Sequence, residues 1–179
     1  MKNSYYITFS FLFFTFLISF IKQYYIVALI NLIASYMYYF LIKNPSIQIR
    51  YIDWILTTPL LLYELSNILN IKNKIIQIII QICNLLMFYF GWLGEIQPKK
   101  RFLFCFLGFI PLAIIFSIYY SFLTDFQTTF YYYYFLIIWS MYGIVYLKKK
   151  NRAVYYNVLD ILSKSIFGFI YLYWAGKVE

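Results

Sequence analysis

Arg50-Tyr51-Ile52-Asp53-Trp54-Ile55-Leu56-Thr57-Thr58-Pro59-Leu60-Leu61-Leu62-Tyr63-Glu64 places an arginine, an aspartate and a glutamate inside an apolar segment long enough to cross a bilayer. Ionisable groups in hydrocarbon are costly, so such a segment marks a functional site by default. Asp53, Thr57 and Glu64 are separated by 4 and 7 residues. At about 100° per residue all three point to nearly one side of a helix, and a rise of about 1.5 Å per residue sets Asp53 and Glu64 about 16 Å apart along its axis. One carboxyl is then near mid-membrane and the other nearer one surface. Arg50 lies nearly one turn from Asp53, on the side away from Glu64, where it offsets the cost of burying a charged Asp53. Leu60, Leu61, Leu62 and Tyr63 precede Glu64 and favour its neutral form. The pattern is an ionised acceptor and a protonated donor on one face, with space between them for a group that loses a proton to Asp53 and regains one from Glu64. The plainer alternative, polar residues tolerated in a helical bundle, is disfavoured by the cost of three such groups in one span. Pro59 is tolerable where neighbours satisfy the freed carbonyl and is weak evidence alone.

A second segment, Asp160-Ile161-Leu162-Ser163-Lys164, sets an aspartate and a lysine at i, i+4 on one face. It reads either as a structural ion pair or as a lysine condensed onto an aldehyde ligand through a Schiff base. A protonated Schiff base needs counter-charge, which Asp160 and Asp53 would supply from two helices. Phe167 and Gly168 follow on the next turn. Trp139-Ser140-Met141-Tyr142 and Ala34-Ser35-Tyr36-Met37-Tyr38 read by themselves as packing rather than pocket.

The chain of 179 residues is 64% hydrophobic, with a mean hydropathy of +0.74. That composition excludes an ordinary soluble domain and a disordered chain. A spanning helix needs about 20 apolar residues, and cutting at the polar clusters gives seven spans: 4–21, 24–42, 48–69, 73–94, 101–122, 127–147 and 153–175. They nearly exhaust the chain, so residues 1–179 are expected to be one domain without a soluble appendage, and the first span a retained helix rather than a signal peptide. The links are short, which makes consecutive helices antiparallel neighbours. Cys83 and Cys105 sit mid-span and read as buried free thiols. With no histidine and no cysteine cluster, no metal site is expected. The net charge of +9 lies in excess in the loops, which fits contact with anionic lipid headgroups and not nucleic-acid binding. Aromatics make up 26% of the chain, with Tyr131 to Tyr134 a run of four; interface anchoring and packing are the default reading, and the codons behind such a composition suit an AT-rich genome.

These segments resemble microbial (type I) rhodopsins. Arg50 to Glu64 is similar to the third helix of bacteriorhodopsin-like members nearly position for position. Asp160 to Gly168 resembles the seventh helix, with Lys164 at the retinal-linking position. The resemblance covers all seven spans in an unusually short chain. It implies an all-α membrane protein, a seven-transmembrane-helix bundle, with all-trans retinal bound to Lys164. It implies Asp53 as primary proton acceptor, Asp160 as second counterion, Glu64 as the donor found in proteorhodopsins, and Thr57 as a hydrogen-bond partner of Asp53. Trp54 and Trp139 would pack against the polyene, with Thr58, Met87, Gly91 and Tyr142 also at the pocket. Tyr38 matches a tyrosine that hydrogen-bonds the counterion aspartate, and Gly91-Trp92-Leu93-Gly94-Glu95 resembles the end of the fourth helix of proteorhodopsins.

Several positions depart from the family pattern. Gly143 stands where a proline is usual in the sixth helix, and the link from sixth to seventh helix is short. Lys148-Lys149-Lys150-Asn151-Arg152 replaces the segment that carries two proton-releasing glutamates. The histidine many proteorhodopsins place beside the acceptor is absent. Ser163 replaces an alanine beside the lysine, which favours bluer absorption, whereas Leu61 at the proteorhodopsin tuning position accompanies green absorption. Family topology puts the N-terminus outside. That leaves Lys2, Lys43, Lys99, Lys100, Arg101, Lys148, Lys149, Lys150 and Arg152 outside and only Lys22, Lys72, Lys74 and Lys177 inside, contrary to the positive-inside tendency. The resemblance nonetheless implies an N-terminus outside.

The Asp-Thr-Glu triplet belongs to outward proton pumps in the family. The expected function is therefore that of a light-driven proton transporter, not an enzyme, with protons and membrane lipid as partners and a homo-oligomer (trimer or pentamer) as in related proteins. The alternatives are a light-gated cation channel, with Asn31, Asn157 and Ser163 lining a hydrated path, and a sensory rhodopsin.

Overall fold

The computed structural model describes residues 2–175 and forms seven helices: α1 Lys2–Ile21, α2 Tyr25–Lys43, α3 Ile47–Ile68, α4 Lys74–Ile96, α5 Arg101–Tyr120, α6 Phe126–Tyr146 and α7 Arg152–Ala175. A single 3₁₀ turn, Pro98–Lys100, leads into α5. No helix end differs from the span read in the sequence by more than two residues. Lys177, used in weighing the loop charge, lies outside the described residues. Five of the helices are apolar enough throughout to cross a membrane on length and composition alone; α3 and α6 are not among them. The reason is local: α3 carries Arg50, Asp53 and Glu64, and α6 carries the tyrosine run.

The helix ends follow from short-range chemistry. Asn70 and Asn151 adopt left-handed backbone at φ 54° and 56°, a conformation asparagine tolerates better than most residues. Gln23 turns the chain between α1 and α2 the same way, at φ 65°. Asn73 caps α4 by accepting from the Ile75 and Ile76 amides. Asp125 and Thr128 form a capping box at the start of α6. The Thr128 amide, first among several donors, holds the exposed Asp125 carboxyl below the usual carboxylate range.

The chain divides into two contact-dense units, one of residues 1–61 with 150–179 and one of 62–149. In the first, α1 packs along α2 and against α7. Its core holds Tyr5, Leu12, Ala34, Tyr38 and Leu41. In the second, α5 packs between α4 and α6, with the Phe116 ring edge-on to Tyr132 at 5.7 Å and to Trp139 at 6.2 Å. Tyr146 donates to the Gly91 carbonyl at 2.8 Å and fills the space a side chain at Gly94 would need. The Phe109 ring likewise occupies the space beside Gly143, which gives that departure from the family pattern a packing reason.

Many large apolar side chains face outward, while polar ones are buried beside the apolar core. Ile75, Ile78, Ile79, Ile82, Leu85 and Leu86 on α4 are exposed, while Asn84 is fully buried. Thr8, Thr15, Asn31, Ser66 and Asn157 are buried as well. This inversion suits a hydrocarbon solvent, in which outward apolar side chains carry no penalty and polar ones must find partners inside. The close approach of α1, α2 and α7 depends on Gly168, where an added Cβ would stand 2.8 Å from Thr15 Cγ2 and 3.1 Å from Val27 Cγ1. Gly168→Ala is expected to destabilise the protein by about 1–3 kcal/mol through overpacking, read as a lower midpoint of thermal unfolding, and Thr15→Ala in the same chain is expected to restore part of the loss.

Candidate functional site

The site grows from three helices of the first unit. Apolar periodicity turns one face of α3 inward, and Arg50, Asp53, Trp54 and Thr57 all lie on it, each buried. α7 presents Tyr156, Asn157, Asp160 and Lys164, also buried. Its backbone widens to a π-helical turn at Ile161–Ile166, around Lys164. Such single-turn widenings sit disproportionately at functional sites. α2 contributes Tyr38.

Lys164 Nζ donates to Asp53 Oδ2 at 2.6 Å and lies 3.6 Å from Asp160 Oδ1. Arg50 Nη1 lies 3.2 Å from Asp160 Oδ2 and 3.1 Å from the Tyr38 hydroxyl. Asp160 also accepts from the Tyr38 hydroxyl at 2.6 Å and from the Trp54 indole Nε1 at 3.0 Å. Two cations and two carboxylates thus form one closed set, which is the condition for keeping charges out of water. Removing any one member leaves an uncompensated buried charge.

Most of the residues singled out in the sequence meet here, with three differences in detail. Helical spacing sets Arg50 about one turn from Asp53, and in the structure its direct ion pair is with Asp160. The reason is reach: the guanidinium extends along α7 toward Tyr38, Ala153 and Asn157 rather than folding back along α3. Thr57 Oγ1 donates to the Asp53 main-chain carbonyl at 2.8 Å and only at 3.5 Å to its carboxylate. Trp54 is a hydrogen-bond donor to Asp160 as well as a ring packed edge-on to Tyr156, 4.9 Å between centroids. Thr58 Oγ1 returns to the Trp54 carbonyl at 2.7 Å.

The remaining residues belong to the second unit. Glu64 is buried, at 4% exposure, and accepts from Asn67 Nδ2 at 3.4 Å. Trp139 is buried against Phe116 and Phe135. Met87, Gly91 and Tyr142 are half-buried. Two residues beyond Glu64, Ser66 and Tyr119 share a contact at 3.2 Å, and the Tyr119 hydroxyl donates to the Leu62 carbonyl at 2.9 Å. Tyr5, Tyr156 and the bond from Asn157 to Arg50 escaped the sequence reading. A polar residue one turn before Asp160 on the inward face of α7 was the available signal for Asn157; nothing in the sequence separates Tyr5 from the chain's other tyrosines.

A family model described as bacteriorhodopsin-like protein matches residues 6–178. Archaerhodopsin-2 of Halobacterium sp. (strain aus-2) is 26% identical over 144 residues, 69% of this chain and 55% of that protein. The chain therefore spans about half the length of that curated relative. Among solved structures, the viral rhodopsin OLPVRII superposes with a TM-score of 0.91 at 26% identity, over 99% of this chain and 98% of that one. The proton-pumping rhodopsin AR2 from the marine alga Acetabularia acetabulum shares the fold, with a TM-score of 0.83 at 23% identity, over 94% of this chain and 91% of that one. Seven apolar-faced helices, a buried lysine on the seventh and a family match over nearly the whole length carry one conclusion: the chain is an integral membrane protein with the seven-helix bundle of the microbial (type I) rhodopsins, and belongs to that bacteriorhodopsin-like family.

Proposed function

We propose that the chain is a light-driven proton transporter that binds all-trans retinal at Lys164 and acts as one retinal-binding unit. The observation that carries this reading is the 2.6 Å contact between Lys164 Nζ and Asp53 Oδ2, both fully buried and both held by further partners. The family supports a retinal chromophore on a lysine. The donor set fits the group: a buried primary amine is the atom an aldehyde needs, and a linkage that keeps one positive charge on that nitrogen preserves the balance of two cations and two carboxylates. Retinal, when bound, supplies the light-driven change of shape beside the Lys164 nitrogen.

The residues of the chain supply the rest. Asp53 Oδ2 stands within direct proton-transfer reach of Lys164 Nζ. Asp160 stays paired with Arg50, Tyr38 and Trp54, so three donors stabilise its charge and make it the poorer acceptor. Glu64 is buried on α3 with one long hydrogen bond, from Asn67, and is the carboxyl proposed to return the proton. The N-terminus outside and a trimeric or pentameric assembly belong to the same reading.

Expression with all-trans retinal and recording of light-induced pH changes, with and without a protonophore, tests it. An acidification or alkalinisation abolished by the protonophore is expected; a photocurrent that reverses with the ion gradient instead of persisting at zero driving force would refute it. Glu64→Gln is expected to slow return of the proton to the Lys164 nitrogen by about 10²-fold or more, the usual range for loss of a positioned proton donor. Flash photolysis measures this, and unchanged decay would remove Glu64 from the pathway. Protease access to terminal tags on intact cells settles orientation, an inaccessible N-terminus overturning the outside placement.

A further inference from the structure

Arg50 has more partners than its ion pair with Asp160 requires. Nη1 takes Asp160 and the Tyr38 hydroxyl, and Nη2 reaches the Ala153 carbonyl at 3.2 Å and the Asn157 carboxamide oxygen. Asn157 is 1% exposed. Its Nδ2 donates to Ser4 Oγ at 2.8 Å, and Thr8 Oγ1 approaches its main-chain carbonyl at 3.4 Å. The Tyr38 hydroxyl lies 3.1 Å from Asn157 Oδ1 but 2.6 Å from Asp160 Oδ2. It has one hydrogen to give, and the shorter contact to a charged acceptor takes it. Arg50 is then the donor that satisfies Asn157 Oδ1.

We propose that Asn157 is a positioning residue that clamps Arg50 against Asp160 and, through Ser4, ties that ion pair to α1. The consequence for transport rests on the proton-transfer reading above; the clamp itself does not. The charged and titratable groups around the guanidinium are Tyr5 from α1, Tyr38 from α2, Asp53 from α3, and Tyr156 and Asp160 from α7, with Lys164 approaching the other oxygen of Asp160. The rings of Tyr5, Tyr38 and Tyr156 surround it at 5.5, 5.6 and 5.6 Å from Cζ. Arg50 cannot turn away from the carboxylates without leaving a buried carboxamide oxygen unpaired, which is costly where no water replaces the donor. Through Ser4 this clamp makes the position of Arg50 depend on the fit of α1 against α7.

Asn157→Leu keeps the branched shape of the side chain and removes the acceptor. In the retinal-bound protein it is expected to move the acid-induced colour change to higher pH by about one unit, a tenfold rise in proton affinity of the carboxylates facing Lys164. The side-chain ¹⁵N resonance of Arg50, followed with and without retinal, is expected to move with it. Asn157→Gln retains the amide and is expected to stay nearer the parent on both measures; equal displacement by Leu and Gln would assign Asn157 to packing and overturn the proposal. In an Arg50→Gln background, Asn157→Leu is expected to leave the colour change where Arg50→Gln puts it. An unmoved Arg50 resonance in Asn157→Leu refutes the clamp whether or not the protein pumps, and the retinal-free spectrum decides even if no pigment forms. Should Asn157→Leu not fold, Ser4→Ala cuts only the α1 tether. It is expected to move the same resonance in the same direction by less, and no movement there is equally fatal.

Discussion

Asp53→Asn is expected to abolish light-driven proton transport and shift the pigment to longer wavelength. The carboxylate lies 2.6 Å from Lys164 Nζ, while the next acid, Asp160, is 3.6 Å away and committed to Arg50, Tyr38 and Trp54. An asparagine of the same shape keeps the packing but offers no anionic oxygen to receive a proton. Transport should therefore fall to the detection limit rather than by a modest factor. The colour follows from the same charge: an anion beside the nitrogen holds positive charge at that end of the chromophore in the dark, and removing it lets the charge spread and narrows the excitation gap. Light-induced pH recording and the visible spectrum measure the two effects on one preparation. Pumping at wild-type rate in Asp53→Asn would transfer the acceptor role elsewhere, with Asp160 the first candidate.

Lys164→Ala is expected to yield protein with no visible absorption after addition of retinal, and a less stable fold. Without the amine, the one side-chain donor left to the Asp53 carboxylate among the described residues is Thr57, at a long 3.5 Å. Breaking one member of a buried charge pair typically costs about 3–5 kcal/mol, because the remaining charge is left uncompensated. Asp53→Asn in the same chain removes that orphan, so the double variant should recover most of the loss while remaining colourless. Such non-additivity is the signature of two residues in direct contact. Thermal unfolding in detergent reads stability without the chromophore. Independent, additive losses would mean that the two side chains do not share one charge balance.

The segment from Arg50 to Glu64 and the pair Asp160 and Lys164 were legible because charge in an apolar span is rare and its spacing along a helix fixes which groups share a face. Membrane class, helix number and helix ends were legible for a related reason: bilayer thickness sets span length, and polar clusters mark the turns. The two helices not apolar enough by composition are α3, with Arg50, Asp53 and Glu64, and α6, with its tyrosine run, so their spans follow from length and neighbours, not from hydropathy.

Partner choice was a different matter. Helical spacing put Arg50 beside Asp53, yet the guanidinium crosses to Asp160 on α7. Asn157 joins it, and Tyr5 and Tyr156 wall it in. These contacts lie more than a hundred residues apart along the chain for α7, and periodicity within one helix carries no information about which side chain of another helix fills the space. What the amino-acid sequence determined by itself was the bilayer-spanning, all-helical character of the protein and the inventory of buried charges, since both are set by local composition and by the cost of ions in hydrocarbon. What only the tertiary structure decided was how those charges pair, because a long flexible cation takes the acceptors that close packing of α1, α2, α3 and α7 brings within its reach.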